Sequence, residues 1–281
     1  SRPPKAILDE VRRLADQGCL EVTFIGQTVN SYKYRHGDGR ITRLADLLAA
    51  ANEVSGLRRI KFVTNYPRDM SRELLEAVRD LPKVCPYFHL PVQHGSNAQL
   101  KLMKRGYTVE QYEELLGQIR ELVPEATVAS DFIVGLCHET EADHQLSCRL
   151  IERAGFKNCF IFKYSPRPGT KAHETLADDV PEAVKRRRNN ELLALQNRIG
   201  LEQNQRLIGQ VVEVLVEGPS KLGGKSGAGE RRQLNGRTCQ ERIVVFDGPE
   251  KLIGQFVHVR VGAVTPTTLM GSIVSPQPAP V

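Results

Sequence analysis

Gln93, His94 and Ser96 crowd into the polar loop Pro91-Val92-Gln93-His94-Gly95-Ser96-Asn97, directly after the apolar run Phe88-His89-Leu90. An amide, an imidazole and a hydroxyl so close together offer donors and acceptors to a polar small ligand. His94 reads first as a loop hydrogen-bonder and second as an acid/base group. Ser96 and Asn97 are both good N-caps, so the loop should hand over to a helix that runs to Met103. The same grammar recurs along the chain. Gly26-Gln27-Thr28-Val29-Asn30-Ser31-Tyr32, Asp131-Phe132-Ile133-Val134-Gly135 and Tyr164-Ser165-Pro166-Arg167-Pro168-Gly169-Thr170 each close or carry an apolar run. Glycine permits close backbone approach to a ligand, and Gln27, Asn30, Asp131 and Tyr164 can hydrogen-bond it.

The elements that position these residues follow from periodicity. Helical stripes occur over Pro4–Gln17, Ile41–Val54, Ser71–Val78, Val109–Leu122 and Thr140–Ala154, and strand patterns over Leu20–Ile25, Arg59–Val63, Val128–Val134 and Asn158–Phe162. With Phe88–Leu90 these strands alternate with helices through short connections, which predicts an α/β domain on a parallel sheet. In such sheets the C-terminal strand ends carry the site. Here they are rich in Gly, Gln, Asn, Ser and Thr, whereas the opposite loops, such as Ser55-Gly56-Leu57, are plain. The series opens with a helix, so a first strand is missing. From Ser1 onward the chain reads as a piece of something longer.

Pro181 to Ile208 is one polar helix with Lys185-Arg186-Arg187-Arg188, divided evenly between a solvated connector and a contact to RNA phosphate. Beyond Gly209 the pattern turns all-β, at 211–216, 242–246, 256–261 and 269–274, with a basic loop over 218–236; this predicts a small OB-like barrel. The expected division is 1–180, core; 181–208, connecting helix; 209–275, barrel; 276–281, tail. Lys221, Lys225, Arg231, Arg232 and Arg237 are the candidates for holding RNA phosphates.

The formal charge of +6 permits a nucleic-acid partner without requiring one. No apolar run reaches the roughly 18 residues of a membrane span, and there is no export signal, so a cytoplasmic chain with no membrane partner is expected. The six cysteines form no CxxC or CxxxC and read as buried thiols. His144 and Cys148 share a helix face near Cys137 and His138, but the spacings are not those of zinc sites, and no metal site is expected.

With these segments in hand, the chain resembles the MiaB-type tRNA methylthiotransferases of the radical S-adenosylmethionine class. The resemblance rests on Gly26–Tyr32, His89-Leu90-Pro91-Val92-Gln93, Lys104-Arg105-Gly106-Tyr107-Thr108, Asp131–Gly135 and Tyr164–Thr170 in order. Leu234-Asn235-Gly236-Arg237-Thr238 and Ile253-Gly254-Gln255 are similar to a TRAM domain. The resemblance implies a partial parallel (βα) barrel with S-adenosylmethionine across its strand ends, followed by the TRAM barrel. It implies 4Fe–4S clusters, an electron-donor protein, and methylthiolation at C2 of an isopentenylated adenine in the anticodon stem-loop of tRNA. It assigns the methionine end of the cofactor to Gly26, Gln27 and Asn30, ribose and carboxylate contacts to Gln93 and Ser96, and the neighbourhood of the adenine to Asp131 and Gly135; Tyr164 belongs to the same rim. The family's CxxxCxxC has no counterpart among these residues, so this chain alone is expected to lack the cluster and to be inactive. Cys137-His138, Tyr66 and Lys104 also depart from the family's usual residues. Three alternatives stay open: a non-catalytic RNA-binding protein on a degenerate barrel, an iron-free barrel enzyme, and a methylthiotransferase for a threonylcarbamoyl adenosine or a ribosomal protein.

Overall fold

The computed structural model describes residues 1–220 and 232–274, which form two compact units, Ser1–Gln196 and Asn197–Val281. Helix α1 (Pro4–Asp16) starts on a proline at its first position, where the missing N–H has no intrahelical role, and turns Val11 and Ala15 inward. Strand β1 (Glu21–Phe24) follows, then a hairpin of β2 (Lys33–Arg35) and β3 (Ile41–Arg43), and α2 (Leu44–Asn52). The sequence predicts helix from Ile41. Instead the β-branched pair Ile41-Thr42 joins the hairpin, and the helix begins at Leu44 with its stripe of Leu44, Leu47, Leu48 and Ala51 intact.

The remaining elements of the unit alternate: β4 (Arg59–Phe62), α3 (Arg72–Asp80), β5 (Tyr87–His89), α4 (Asn97–Leu102), α5 (Val109–Leu122), β6 (Thr127–Val134), α6 (Glu141–Ala154), β7 (Asn158–Lys163) and the short α7 (Lys171–Thr175). Strands β1 and β4 pair in parallel, as do β5 with β6 and β6 with β7. The two groups are joined by a parallel bridge from Ile60 to Val84 and by Asn65 N–H donating to the His89 carbonyl at 3.1 Å. Five parallel strands result, as expected, in two hydrogen-bonded groups, β1-β4 and β5-β6-β7, which that bridge sets side by side.

One face of this sheet is apolar and packs under the helices; Ile60, Phe62, Phe88, Phe132 and Phe156 are fully buried there. The other face carries Glu21, Arg59, Lys61, His89 and Asp131, with Phe160 and Phe162 about half exposed, as the pairing register places them. Parallel strands buried on both faces read as unbroken apolar runs. The polar members of the Arg59-Ile60-Lys61-Phe62 alternation are buried on the second face, where both pair with Glu21.

Helix α8 (Glu182–Gln205) crosses the division between units, which falls after Gln196, inside the 181–208 segment that the sequence reading sets apart. The second unit is a closed barrel of β8 (Val211–Pro219), β9 (Arg232–Arg237), β10 (Ile243–Gly248), β11 (Phe256–Val264) and β12 (Thr268–Ile273), ordered β10-β12-β11-β8-β9. Strand β9 falls within the stretch expected to be loop: its Arg-Gln-Leu-Asn-Gly-Arg sequence has little apolar signal, and only its pairing with β8 and β10 makes it a strand. Val214, Val216, Leu234, Val244, Phe246, Val259 and Leu269 are among the residues that fill the barrel. At Gly236 a Cβ would stand 2.2 Å from the Leu215 carbonyl oxygen, so closure depends on its absence.

Candidate functional site

Gln93, Asp131 and Tyr164 meet at the C-terminal ends of β5, β6 and β7. Together with Ile133, Phe162 and Arg167 they line a cavity of about 520 Å³. The Gln93 N–H donates to the Asp131 carbonyl at 2.8 Å, and the Gln93 carbonyl accepts from Ile133 N–H at 2.9 Å, so the loop after β5 is stitched to β6. Gln93 holds a positive φ of 77°, a conformation that a non-glycine residue adopts at a cost of about 1–3 kcal/mol. Asp131 accepts from His89 Nε2 at 2.8 Å, and the His89 ring meets Phe160 edge-on with centroids 6.0 Å apart. His89 is a residue that sequence reasoning passed over as part of an apolar run. Its alternation with Phe88 was the available signal.

Gly26 and Gln27 lie exposed at the C-terminal end of β1. They share the rim with Gln93 but line a different cavity, of about 720 Å³, against α1. Two other expected ligand contacts are committed to the protein itself. Asn30 clasps the Tyr66 backbone, Nδ2 donating to its carbonyl and Oδ1 accepting from its N–H, both at 2.8 Å. Ser96 is buried and donates to Asp143 at 2.5 Å. Each ties two elements together, and the sequence cannot distinguish that from ligand binding because the same donors and acceptors serve both. Gly135 (φ 72°) faces Lys185, whose Cγ would lie 2.2 Å from a Cβ there. Its glycine requirement thus comes from helix packing.

Behind the rim is a buried network. His94 Nδ1 accepts from Ser96 N–H at 3.0 Å, which leaves Nε2–H to donate to Glu139 at 3.0 Å. Glu139 also accepts from the Gly135 N–H and from Arg188 Nη1 at 3.0 Å. Burial raises the Glu139 pKa, yet the hydrogen bond from His94, with those from Gly135 and the charge of Arg188, holds it below the usual carboxylate range. His94 therefore holds the rim from behind and lies too deep to meet a ligand.

Three of the four cations in the α8 basic run are consumed in the same way, while Arg186 is exposed. Lys185 and Arg188 are buried, Lys185 pairing with Asp178 at 2.6 Å, and Arg187 spans Glu141 and Glu191 at 2.6 and 2.8 Å. Of the even choice left by the sequence, these three residues thus follow neither branch: they are structural ion pairs. Glu141, His144 and Glu191 form a group with metal-like spacing, but Arg187 already occupies its cationic position. In the barrel, Arg232 pairs with Glu250 at 2.6 Å, and Arg237 with Glu217 and Glu241 at 3.0 and 2.7 Å. Lys221, Lys225, Arg231 and the 276–281 tail lie outside the described residues.

The family scan matches the Radical SAM superfamily over residues 1–151 and the TRAM domain over residues 205–274. The chain belongs to the radical SAM superfamily. Curated relatives include tRNA-2-methylthio-N(6)-dimethylallyladenosine synthases of Rhodopirellula baltica, 56% identical over 97% of this chain, and of Moorella thermoacetica, 45% identical over 98%. The chain spans 57% and 60% of the length of these two relatives. Among solved structures, coproporphyrinogen III oxidase from Escherichia coli, a radical SAM enzyme, superposes with a TM-score of 0.53 at 15% identity, over 92% of this chain and 60% of that one. This last likeness bears on the fold alone.

Membership of the superfamily implies S-adenosylmethionine and a 4Fe–4S cluster. The rim cavity fits the first: Phe162 and Ile133 offer an apolar wall to a nucleobase, while Asp131 and Gln93 offer polar groups to a ribose or an amino acid end. The described cysteines do not fit the second. Cys85, Cys137 and Cys159 are buried, burial pushes the Cys159 thiol well up, and among the described residues no three cysteines gather. No helix among the described residues is long and apolar enough to cross a membrane.

Proposed function

We propose that this chain is the S-adenosylmethionine-binding core and RNA-holding part of a tRNA methylthiotransferase, acting on C2 of an isopentenylated adenine in the anticodon stem-loop. The observation that carries this reading is the meeting of Gln93, Asp131 and Tyr164 on one cavity at the C-terminal rim, in a chain that continues into a TRAM barrel. Bound there, S-adenosylmethionine would supply a methyl group and, on one-electron reduction by an iron–sulfur cluster that the described residues do not hold, a carbon radical. This chain's own part is to hold it: Asp131, oriented by His89, accepts from a ribose hydroxyl, Gln93 offers its amide, and Phe162 stacks on a flat ring. Gly26 and Gln27, at the end of β1, are proposed for the methionine end. The setting proposed is cytoplasmic, with an electron-donor protein as a further partner. The names of the relatives favour the dimethylallyl adenosine over a threonylcarbamoyl adenosine or a ribosomal protein.

The reading is tested in a bacterial strain lacking its own tRNA methylthiotransferase, supplied with the complete gene whose product contains this chain. Nucleosides from its tRNA should regain the 2-methylthio mark by mass spectrometry, and Asp131→Ala should reduce it strongly. Restoration equal to wild type by Asp131→Ala would remove the rim from the function.

A further inference from the structure

Lys33 and Arg43 oppose each other directly across the β2–β3 hairpin, and Arg68 lies in the helical turn Pro67–Asp69 that follows β4. All three side chains line one polar cavity of about 420 Å³, whose wall also holds Asp69, Ser71 and Glu73. The three are exposed, and among the described residues none has an ion-pair partner. Arg35, two residues along β2 and therefore on the same side as Lys33, extends the positive charge along the hairpin. Of the nearby carboxylates, Asp69 accepts from Ser31, and Glu73 sits in the first turn of α3.

Like charges directly opposed across antiparallel strands repel, so a Lys–Arg pair there is unfavourable unless an anion joins it. The contrast with the other basic residues is informative. Lys185, Arg187, Arg188, Arg232 and Arg237 already hold carboxylates, which a phosphate would have to displace. Lys33, Arg43 and Arg68 need displace only small counterions, whose release favours binding to nucleic acid. The cavity is open, and beyond it the charge continues along β2 from Lys33 to Arg35, which suits a chain of phosphates better than one compact anion.

We infer that the cavity between the β2–β3 hairpin and the start of α3 binds backbone phosphate of the RNA, as a contact surface on the first unit in addition to the TRAM barrel. The inference rests on the proposed reading of RNA as the substrate. It is tested by fluorescence anisotropy of a synthetic anticodon stem-loop RNA with the whole chain across a salt series. Lys33→Gln/Arg43→Gln and, separately, Arg68→Gln should each raise Kd by roughly fivefold to tenfold per charge removed at about 0.1 M salt. Each removed charge should also flatten the slope of log K against log salt by about one. Arg79→Gln, which removes an equal charge paired with Asp80, should change neither. Cavity variants that melt like wild type and keep its affinity and slope would overturn the inference. If the double variant fails to fold, the single Arg68→Gln decides. Absence of RNA binding by the unsubstituted chain would instead overturn the proposed function, and the site with it.

Discussion

His94 and Glu139 are hydrogen-bonded at 3.0 Å, with side chains 1% and 0% exposed, and they join the loop after β5 to the loop after β6. Arg188 of α8 completes the group from the other side of the carboxylate. The rim that carries Gln93 and Asp131 is thus fixed from behind by a buried ionic network, in which removal of Glu139 or Arg188 leaves the opposite charge uncompensated in low dielectric.

Arg188→Met should be strongly destabilising, by about 3–5 kcal/mol in urea unfolding, because it leaves the Glu139 carboxylate buried without its cation. Arg187→Met on the same helix removes only two solvent-exposed pairs and should cost about 1 kcal/mol or less. Equal losses for the two would show that the buried network does not stabilise the rim.

Gln93→Gly should separate side chain from backbone. Glycine adopts the positive φ without strain, so stability should hold or rise slightly, by up to about 1 kcal/mol. Affinity for S-adenosylmethionine, read by titration calorimetry, should fall about tenfold with the loss of the amide. An unchanged affinity would place the Gln93 side chain outside the ligand.

Asn30→Ala tests the opposite assignment. Losing both hydrogen bonds to the Tyr66 backbone should lower stability by about 1–3 kcal/mol, because buried backbone groups lose partners. Asn30→Asp retains the acceptor for Tyr66 N–H and should recover part of that loss. Full stability in Asn30→Ala would mean that the clasp is incidental.

Acid should weaken the first unit in a defined window. Hydrogen bonds from Arg187 bring the Glu141 pKa down to about 2, and Glu139 is also depressed. A depressed carboxylate contributes stability above its unfolded pKa, about 4.3, and loses it as pH falls through the folded value, since the unfolded chain then binds more protons. Thermal midpoints should therefore drop steadily between about pH 4.3 and pH 2. Glu139→Gln should flatten that slope, and an identical slope in the variant would exclude Glu139 as its source.

Glycine positions offer a paired check. Gly95→Ala would bring a Cβ to 2.5 Å from the Leu146 backbone oxygen and should cost several kcal/mol or prevent folding. Gly117, exposed within α5, has nothing within 4 Å, so Gly117→Ala should stabilise by about 0.5–1 kcal/mol in the same urea titration. A neutral Gly95→Ala would contradict the close packing of α6 on the β5 loop.

The sequence by itself determined the repeating units and their direction. Apolar period identifies α5 as Val109–Leu122 and ends β6 at Val134, since burying a stripe or a face depends on residue spacing alone. It also determined that the polar strand ends share one edge, because alternating strands and helices form a parallel sheet. The tertiary structure alone decided which of those polar residues reach the rim cavity. Gln93, Asp131 and Tyr164 reach a common cavity, whereas Asn30, Ser96 and the α8 cations find partners up to 49 residues away in the chain. Such pairing leaves no local pattern, because a side chain's hydrogen-bond partner is set by what the fold brings beside it, not by its neighbours in sequence.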